Sequence, residues 1–135
     1  LITKVRREMY QLRELQTQSV QEKLKDAAIK ICGSLLSRIE IAEFDIDPAL
    51  GIEITAIAGE LMKNCVRHSG GSEIEIYLSQ VENHTYLEVR DNGEGGATLE
   101  SSRLGLIGIK ERTETLGGVF SCRSDSSGTR VSITL

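Results

Sequence analysis

The 135 residues carry 16 basic and 20 acidic side chains, a formal charge of −4, with 39% hydrophobic and 27% charged residues and a single proline, Pro48. This length and balance fit one globular domain that buries a core without disulfide or metal staples, and they exclude a disordered chain. The acidic excess excludes a nucleic-acid-binding module, whose face would be basic, and the cluster Lys4, Arg6 and Arg7 is diluted by Glu8 and Glu14 into a solvated helix face.

Residues 1 to about 38 are rich in helix formers and set Val5, Met9, Leu12 and then Leu24, Ala28, Ile31, Leu35 and Ile39 at three- and four-residue steps. Two helices are predicted, with a joint in Gln16 to Gln21 and Ser19 as N-cap. Residues 39–46 alternate imperfectly between apolar and acidic and predict a strand. Asp47 followed by Pro48 is a helix start, and the helix should run to about His68. Its apolar residues Leu50, Ile54, Ile57, Ala58, Leu61 and Cys65 share an arc of about 100°, which packs on a sheet. Strands are predicted at 73–79 and 84–90 around a turn at Glu82 and Asn83, then a glycine loop from Gly93 to Arg103. A short helix follows from about Ile107 to Leu116, and a hairpin of 119–123 and 129–135 closes the chain. This order predicts an α+β fold, a two-layer sandwich with helices on one face of a mixed, mostly antiparallel sheet.

Cys32, Cys65 and Cys122 fit no CxxC or zinc spacing and read as reduced and mostly buried thiols. No apolar run approaches the ~18 residues of a membrane span and nothing resembles a signal peptide, so a cytoplasmic piece with no membrane contact of its own is expected. The chain begins at Leu1 without methionine, which suggests an excised piece of a longer protein whose membrane anchor would lie outside it.

Four local patterns could carry chemistry, and each has a plainer alternative. Glu60, Asn64, Arg67 and His68 form a stripe along the edge of the long helix's apolar face. A carboxylate, an amide, a guanidinium and an imidazole there could hold a hard cation and phosphate, or simply make a helix flank whose cations suit its C-terminus. DNGEG at 91–95 is either a turn or a half-buried Asp91 acceptor with Gly93 and Gly95 admitting a flat ligand. GLIG at 105–108, just before the short helix, is either a phosphate cradle or a close-packing loop. SGT at 127–129 is a hairpin turn or a hydroxyl beside the same ligand.

In this order and spacing, E60xxxN64xxR67H68, D91xG93xG95, G105LIGI with Glu111 and Arg112, G117G118 and S127GT resemble the ATP-binding domain of sensor histidine kinases over residues of about 40–135. GLIGIKER and the short loop before it look most like the subgroup whose partners are often LuxR-type response regulators. The resemblance implies the Bergerat-type fold of the GHKL superfamily. It implies an enzyme that binds Mg-ATP and passes the γ-phosphoryl group to a histidine on a separate, dimerising helical hairpin, within a homodimer that serves a response regulator.

Carried over by position, Asn64 would bind Mg²⁺, Glu60 would be the acid/base residue one turn earlier, and Arg67 and His68 would face the phosphates. Asp91 would accept the adenine amine, Gly93 and Gly95 would give the base room, and Thr129 would lie near it through a water. Leu104, Gly105, Leu106 and Gly108 would belong to the phosphate-side loop. Arg103 stands where the family often has glycine and could supply a phosphate contact. An ionised Asp is acceptor-only, which suits the amine of adenine and opposes the carbonyl of guanine. With no Trp and few aromatics an aliphatic adenine pocket is implied, with candidates Ile57, Leu61 and Ile133. The acceptor histidine is expected upstream, residues 1–18 being the end of the hairpin and 19–135 the ATP-binding domain. A GHKL serine kinase of the anti-sigma type, or a nucleotide-binding dimerisation module that transfers nothing, would share these motifs.

Overall fold

In the computed structural model, which describes residues 18–68, 70–93 and 104–135, helix α1 spans Val20–Cys32. Ser19 caps it, its hydroxyl accepting from the Glu22 N–H at 3.1 Å. The helix ends six residues short of the sequence expectation, because Gly33 takes φ +53° and donates its N–H to the Ile29 carbonyl, turning the chain into a 3₁₀ turn at Gly33–Leu35. The predicted helix in residues 1–17, the Lys4, Arg6, Arg7 cluster and the loop residues 94–103 lie outside the described residues.

Strand β1 is Leu36–Ile41, earlier than the 39–46 expected. Beyond Ala42, whose N–H still reaches the Leu78 carbonyl at 2.9 Å, the chain leaves the sheet because α1 competes for its carbonyls: the buried Gln21 donates its Nε2–H to the Phe44 carbonyl at 2.7 Å and to that of Ala42 at 3.4 Å. Gln21→Leu keeps the volume and removes the donor, so a loss of about 1 kcal/mol is expected in urea unfolding, with the slope unchanged. Helix α2 is Pro48–His68 as predicted, with the Asp47 carboxylate accepting from the Leu50 N–H.

Strands β2 (Ile74–Val81) and β3 (His84–Asp91) form a hairpin on a two-residue turn. Glu82 and Asn83 both have positive φ, the combination that matches the twist of the flanking strands. Helix α3 (Leu104–Thr115) precedes a second hairpin, β4 (Val119–Asp125) and β5 (Gly128–Thr134). The sheet order is β1-β2-β3-β5-β4; only β1 and β2 run parallel, joined across α2, and every other pair is antiparallel. The expected mixed, mostly antiparallel α+β sandwich is the architecture observed.

One sheet face, including Ile74, Ile76, Leu78, Leu87, Val89 and Ile133, meets Leu24 and Ala28 of α1 and Ile54, Ile57, Ala58, Leu61 and Met62 of α2. The other face is polar. There Glu88, 3% exposed, accepts from the Tyr86 hydroxyl at 2.6 Å and pairs with Arg90, with Arg130 3.8 Å away. Arg90 also lies 5.0 Å from the ring centre of Tyr77. A carboxylate is tolerated at that depth because its charge is met by guanidinium and hydroxyl donors. Among the described residues no helix is long and apolar enough to cross a membrane.

Candidate functional site

The last two turns of α2 project side chains in two useful directions, because successive residues on a helix are about 100° apart. Asn64 turns toward α3. Its amide lies so close to Gly105 that a Cβ there would sit 2.9 Å from Nδ2 and 3.1 Å from Oδ1, and Nδ2 is buried without a hydrogen-bond partner. An unpaired buried donor is costly, of the order of 1–3 kcal/mol. Cys65, the next residue, is partly buried against the core. Burial, and then the charge of the Asp91 carboxylate, push the Cys65 thiol well above its ordinary range.

Asp91 ends β3 half-buried, and its Oδ1 accepts from the Gly93 N–H at 2.9 Å, closing an Asx turn. It pairs in register with Thr129 of β5, whose hydroxyl shares a 3.0 Å hydrogen bond with Ser124. Gly128 packs beneath: a Cβ on it would meet the Asp91 carbonyl oxygen at 1.9 Å. Asn92 fixes the loop entering β2, its Oδ1 accepting from the N–H groups of Ser72 and Glu73 at 2.9 and 2.8 Å. Cys122 of β4 also feels Asp91; burial first and then that negative charge raise its thiol.

The fold therefore brings Asn64, Gly105, Asp91, Gly93 and Thr129 to one end of the molecule. Glu60 lies one turn before Asn64, exposed and 3.7 Å from Lys63, and Arg67 is exposed in the last turn of α2, which His68 ends. Gly95 and Arg103 fall outside the described residues. A depression of about 340 Å³ at this end has Asp91, Asn92 and Thr129 on its wall. It is shared with Glu75, Arg90 and Arg130 of the outer sheet face and omits Asn64, so it belongs to that face rather than to the Asn64 side.

Two expectations are corrected. Leu104 to Gly108 is not a loop before a helix but the start of α3, three residues earlier than predicted. Burial of Leu106, 3% exposed, and Ile109 at a three-residue step extends the helix through glycines that sequence alone treats as breakers; Arg112 pins it to Glu53 of α2 at 2.8 Å. Leu106 is thus a core residue, while Gly108 is exposed with open space around it. Ile57, Leu61 and Ile133, the adenine-pocket candidates, are each 1% exposed and sit inside the core. Asn92 was missed because a turn amide carries no spacing signal; only the tertiary contact gives it partners.

Among the described residues no group of three or more His, Cys, Asp and Glu could hold a metal. The Asn64 carbonyl and the Glu60 carboxylate are hard oxygen donors, too few for an all-protein cage but suited to a Mg²⁺ that keeps waters and phosphate oxygens as its other ligands. The orphaned Asn64 Nδ2–H is a donor and ligates no cation; beside Gly105 it suits a phosphate oxygen, which leaves the carbonyl of the same amide for the ion, so the residues fit a metal–phosphate ligand.

Residues 50–135 match the family described as Histidine kinase-, DNA gyrase B-, and HSP90-like ATPase. The chain is 28% identical over 124 residues to the sensor protein VraS of Staphylococcus epidermidis and 29% identical over 125 residues to that of Staphylococcus aureus, covering 88% of this chain and 36% of each relative. It spans little more than a third of the curated relatives it matches. The fold is similar to the histidine kinase domain of the Erythrobacter litoralis EL346 blue-light activated histidine kinase, with TM-score 0.74 and 17% identity over 86% of this chain and 64% of that one. It is also similar to the histidine kinase AdeS of Acinetobacter baumannii, with TM-score 0.68 and 21% identity over 86% and 62%.

Proposed function

The chain belongs to the family of histidine kinase-, DNA gyrase B- and HSP90-like ATPases, and from that premise we propose that it is the Mg-ATP-binding catalytic domain of a sensor histidine kinase. Residues 19–135 form that domain, and residues 1–18 belong to the end of the histidine-bearing hairpin that precedes it. The full-length protein acts as a homodimer in two-component signalling, passing the γ-phosphoryl group to that histidine and onward to a LuxR-type response regulator. The observation that carries the reading is Asn64, a buried, unpaired amide set against Gly105 at the start of α3.

The remaining residues divide the work. Asp91, one oxygen held by the Gly93 N–H, presents acceptor lone pairs to the exocyclic amine of adenine and disfavours a guanine carbonyl. Thr129, beside it in register, reaches the base through a water. Asn64 would hold Mg²⁺ on the phosphate side, where the ion would supply charge neutralisation, and Glu60, one turn earlier, would be the acid/base residue. Arg67 and His68 face the phosphates, and Arg103 adds a cationic contact. Catalysis is then positioning and electrostatic stabilisation, with no covalent intermediate on this domain.

The test is radiolabelling. The 135-residue chain is expected to bind ADP and ATP in calorimetry yet acquire no acid-labile phosphate, since its only histidines are His68 and His84. A hairpin fragment from the full-length protein, added in trans, should become labelled. Acid-labile phosphate on the chain itself, or no nucleotide binding, overturns the proposal.

A further inference from the structure

The first turns of α1 and α2 lie side by side, so closely that a Cβ on Gly51 would collide with Val20. Beside that contact runs a groove of about 700 Å³ walled by Val20, Phe44, Ile46, Pro48, Ile52 and Ala56. Ile52 is 69% exposed, more than any other large apolar side chain among the described residues. A contiguous apolar wall facing water marks an interaction surface. The chain that runs along it is acidic: Glu43, Asp45 and Asp47 are exposed and form no ion pair among the described residues, and the wall carries one cation, Lys23. The surface therefore fits an apolar segment that brings positive charge.

Such a segment joins the described chain at this place, because Gln18 and Ser19, which follow residues 1–17 directly, belong to the groove wall. Ser19 is extended, with φ −67° and ψ 161°, so α1 does not continue straight into the residues before it, and Gln18 lays its side chain along the helix, its Nε2–H donating to Asp26 at 2.9 Å. The sequence of the segment complements the groove in two ways. Ile2, Val5, Met9 and Leu12 recur at steps of three, four and three, one apolar stripe of a helix, and Lys4, Arg6, Arg7 and Arg13 outnumber Glu8 and Glu14. As a helix that stripe is about 15 Å long, close to the roughly 12 Å that α2 covers from Pro48 to Ala56.

We propose that residues 1–17 dock in this groove, their apolar stripe on Ile52 and Phe44 and their cations against residues 43–47. The end of the hairpin is then strapped to α2, the helix that carries Asn64. The inference goes beyond the proposed function and stands apart from it, since the groove shares no residue with Asn64, Asp91 or Thr129.

Hydrogen exchange read by mass spectrometry on the 135-residue chain tests this. The amides of residues 2–12 are expected to exchange at least about tenfold more slowly in wild type than in Ile52→Lys, which sets a cation where the cationic segment would lie. Ile52 already faces solvent and lysine is a good helix former, so protection of the core amides of Leu61 and Met62 should stay as in wild type. Met9→Glu, which changes no described residue, should release the segment to the same extent, and it decides alone if Ile52→Lys loses protection at Leu61 and Met62. Fast exchange of residues 2–12 in wild type overturns the proposal. Protection that survives Met9→Glu, or survives Ile52→Lys in a folded chain, places the segment elsewhere and overturns it too. Protection that rises with protein concentration assigns the groove to a second copy, again against the proposal.

Discussion

Asn64→Ala is expected to leave the chain at least as stable as wild type while removing phosphoryl transfer to a hairpin acceptor. The two effects separate because of one atom. Nδ2 is buried with no partner, so the wild-type chain carries an unmet desolvation cost of about 1–3 kcal/mol that alanine removes. Alanine also has the higher helix propensity, a gain of roughly 0.5 kcal/mol in mid-helix, offset in part by the space left beside Gly105. In the nucleotide-bound state the amide oxygen is the proposed ligand for Mg²⁺, and loss of several kcal/mol of charge stabilisation corresponds to about a 100-fold or greater fall in transfer rate. ADP affinity measured without Mg²⁺ should move only a few-fold, since Asp91 and Thr129 are untouched. Urea unfolding, single-turnover labelling of a hairpin fragment and calorimetry read the three quantities separately. Transfer at the wild-type rate would take Asn64 out of the site; a large loss of stability would mean that the amide has a structural partner in solution.

The second large effect is expected from Gly128→Ala, a change of one methyl group in the last hairpin. Gly128 has φ +138°, where side chains are strained, and its added Cβ would lie 1.9 Å from the Asp91 carbonyl oxygen, 2.9 Å from the Asp91 carbonyl carbon and 3.0 Å from the Asn92 Cα. These are backbone atoms of a paired strand, so no side chain can rotate away to make room. Strain and overpacking together should cost about 3 kcal/mol, seen as a lower urea midpoint with the slope unchanged. Relief by moving Asp91 and Asn92 would disturb the acceptor for the base and the anchor of the loop before β2, so ADP affinity should fall as well. A variant with wild-type midpoint and wild-type affinity would show that β5 does not approach Asp91 so closely.

The comparison of sequence with structure turns on which contacts are local. Helix α2 was legible to its first residue because its cap, Asp47 and Pro48, and its apolar stripe are properties of neighbours in sequence. The hairpin of β2 and β3 was legible for the same reason, two alternating runs around a turn whose residues, Glu82 and Asn83, are the ones that take positive φ. The motifs around Asn64, Asp91, Gly105 and Thr129, in that order, resembled the ATP-binding domain of sensor histidine kinases from sequence alone, and the family match over residues 50–135 agrees with that resemblance. What the sequence could not decide was every feature that depends on a distant partner. The end of β1 is set by Gln21, more than twenty residues away, and the start of α3 by burial of Leu106 and Ile109 against the core, which overrides the helix-breaking tendency of Gly105 and Gly108. Ile57, Leu61 and Ile133 are apolar whether they line a pocket or fill a core, and only packing showed them filling the core. The orphaned amide of Asn64 and the space that Gly128 must leave open exist only once α2, α3, β3 and β5 have come together, since a hydrogen bond or a steric limit belongs to a pair of groups and never to one residue's place in the chain.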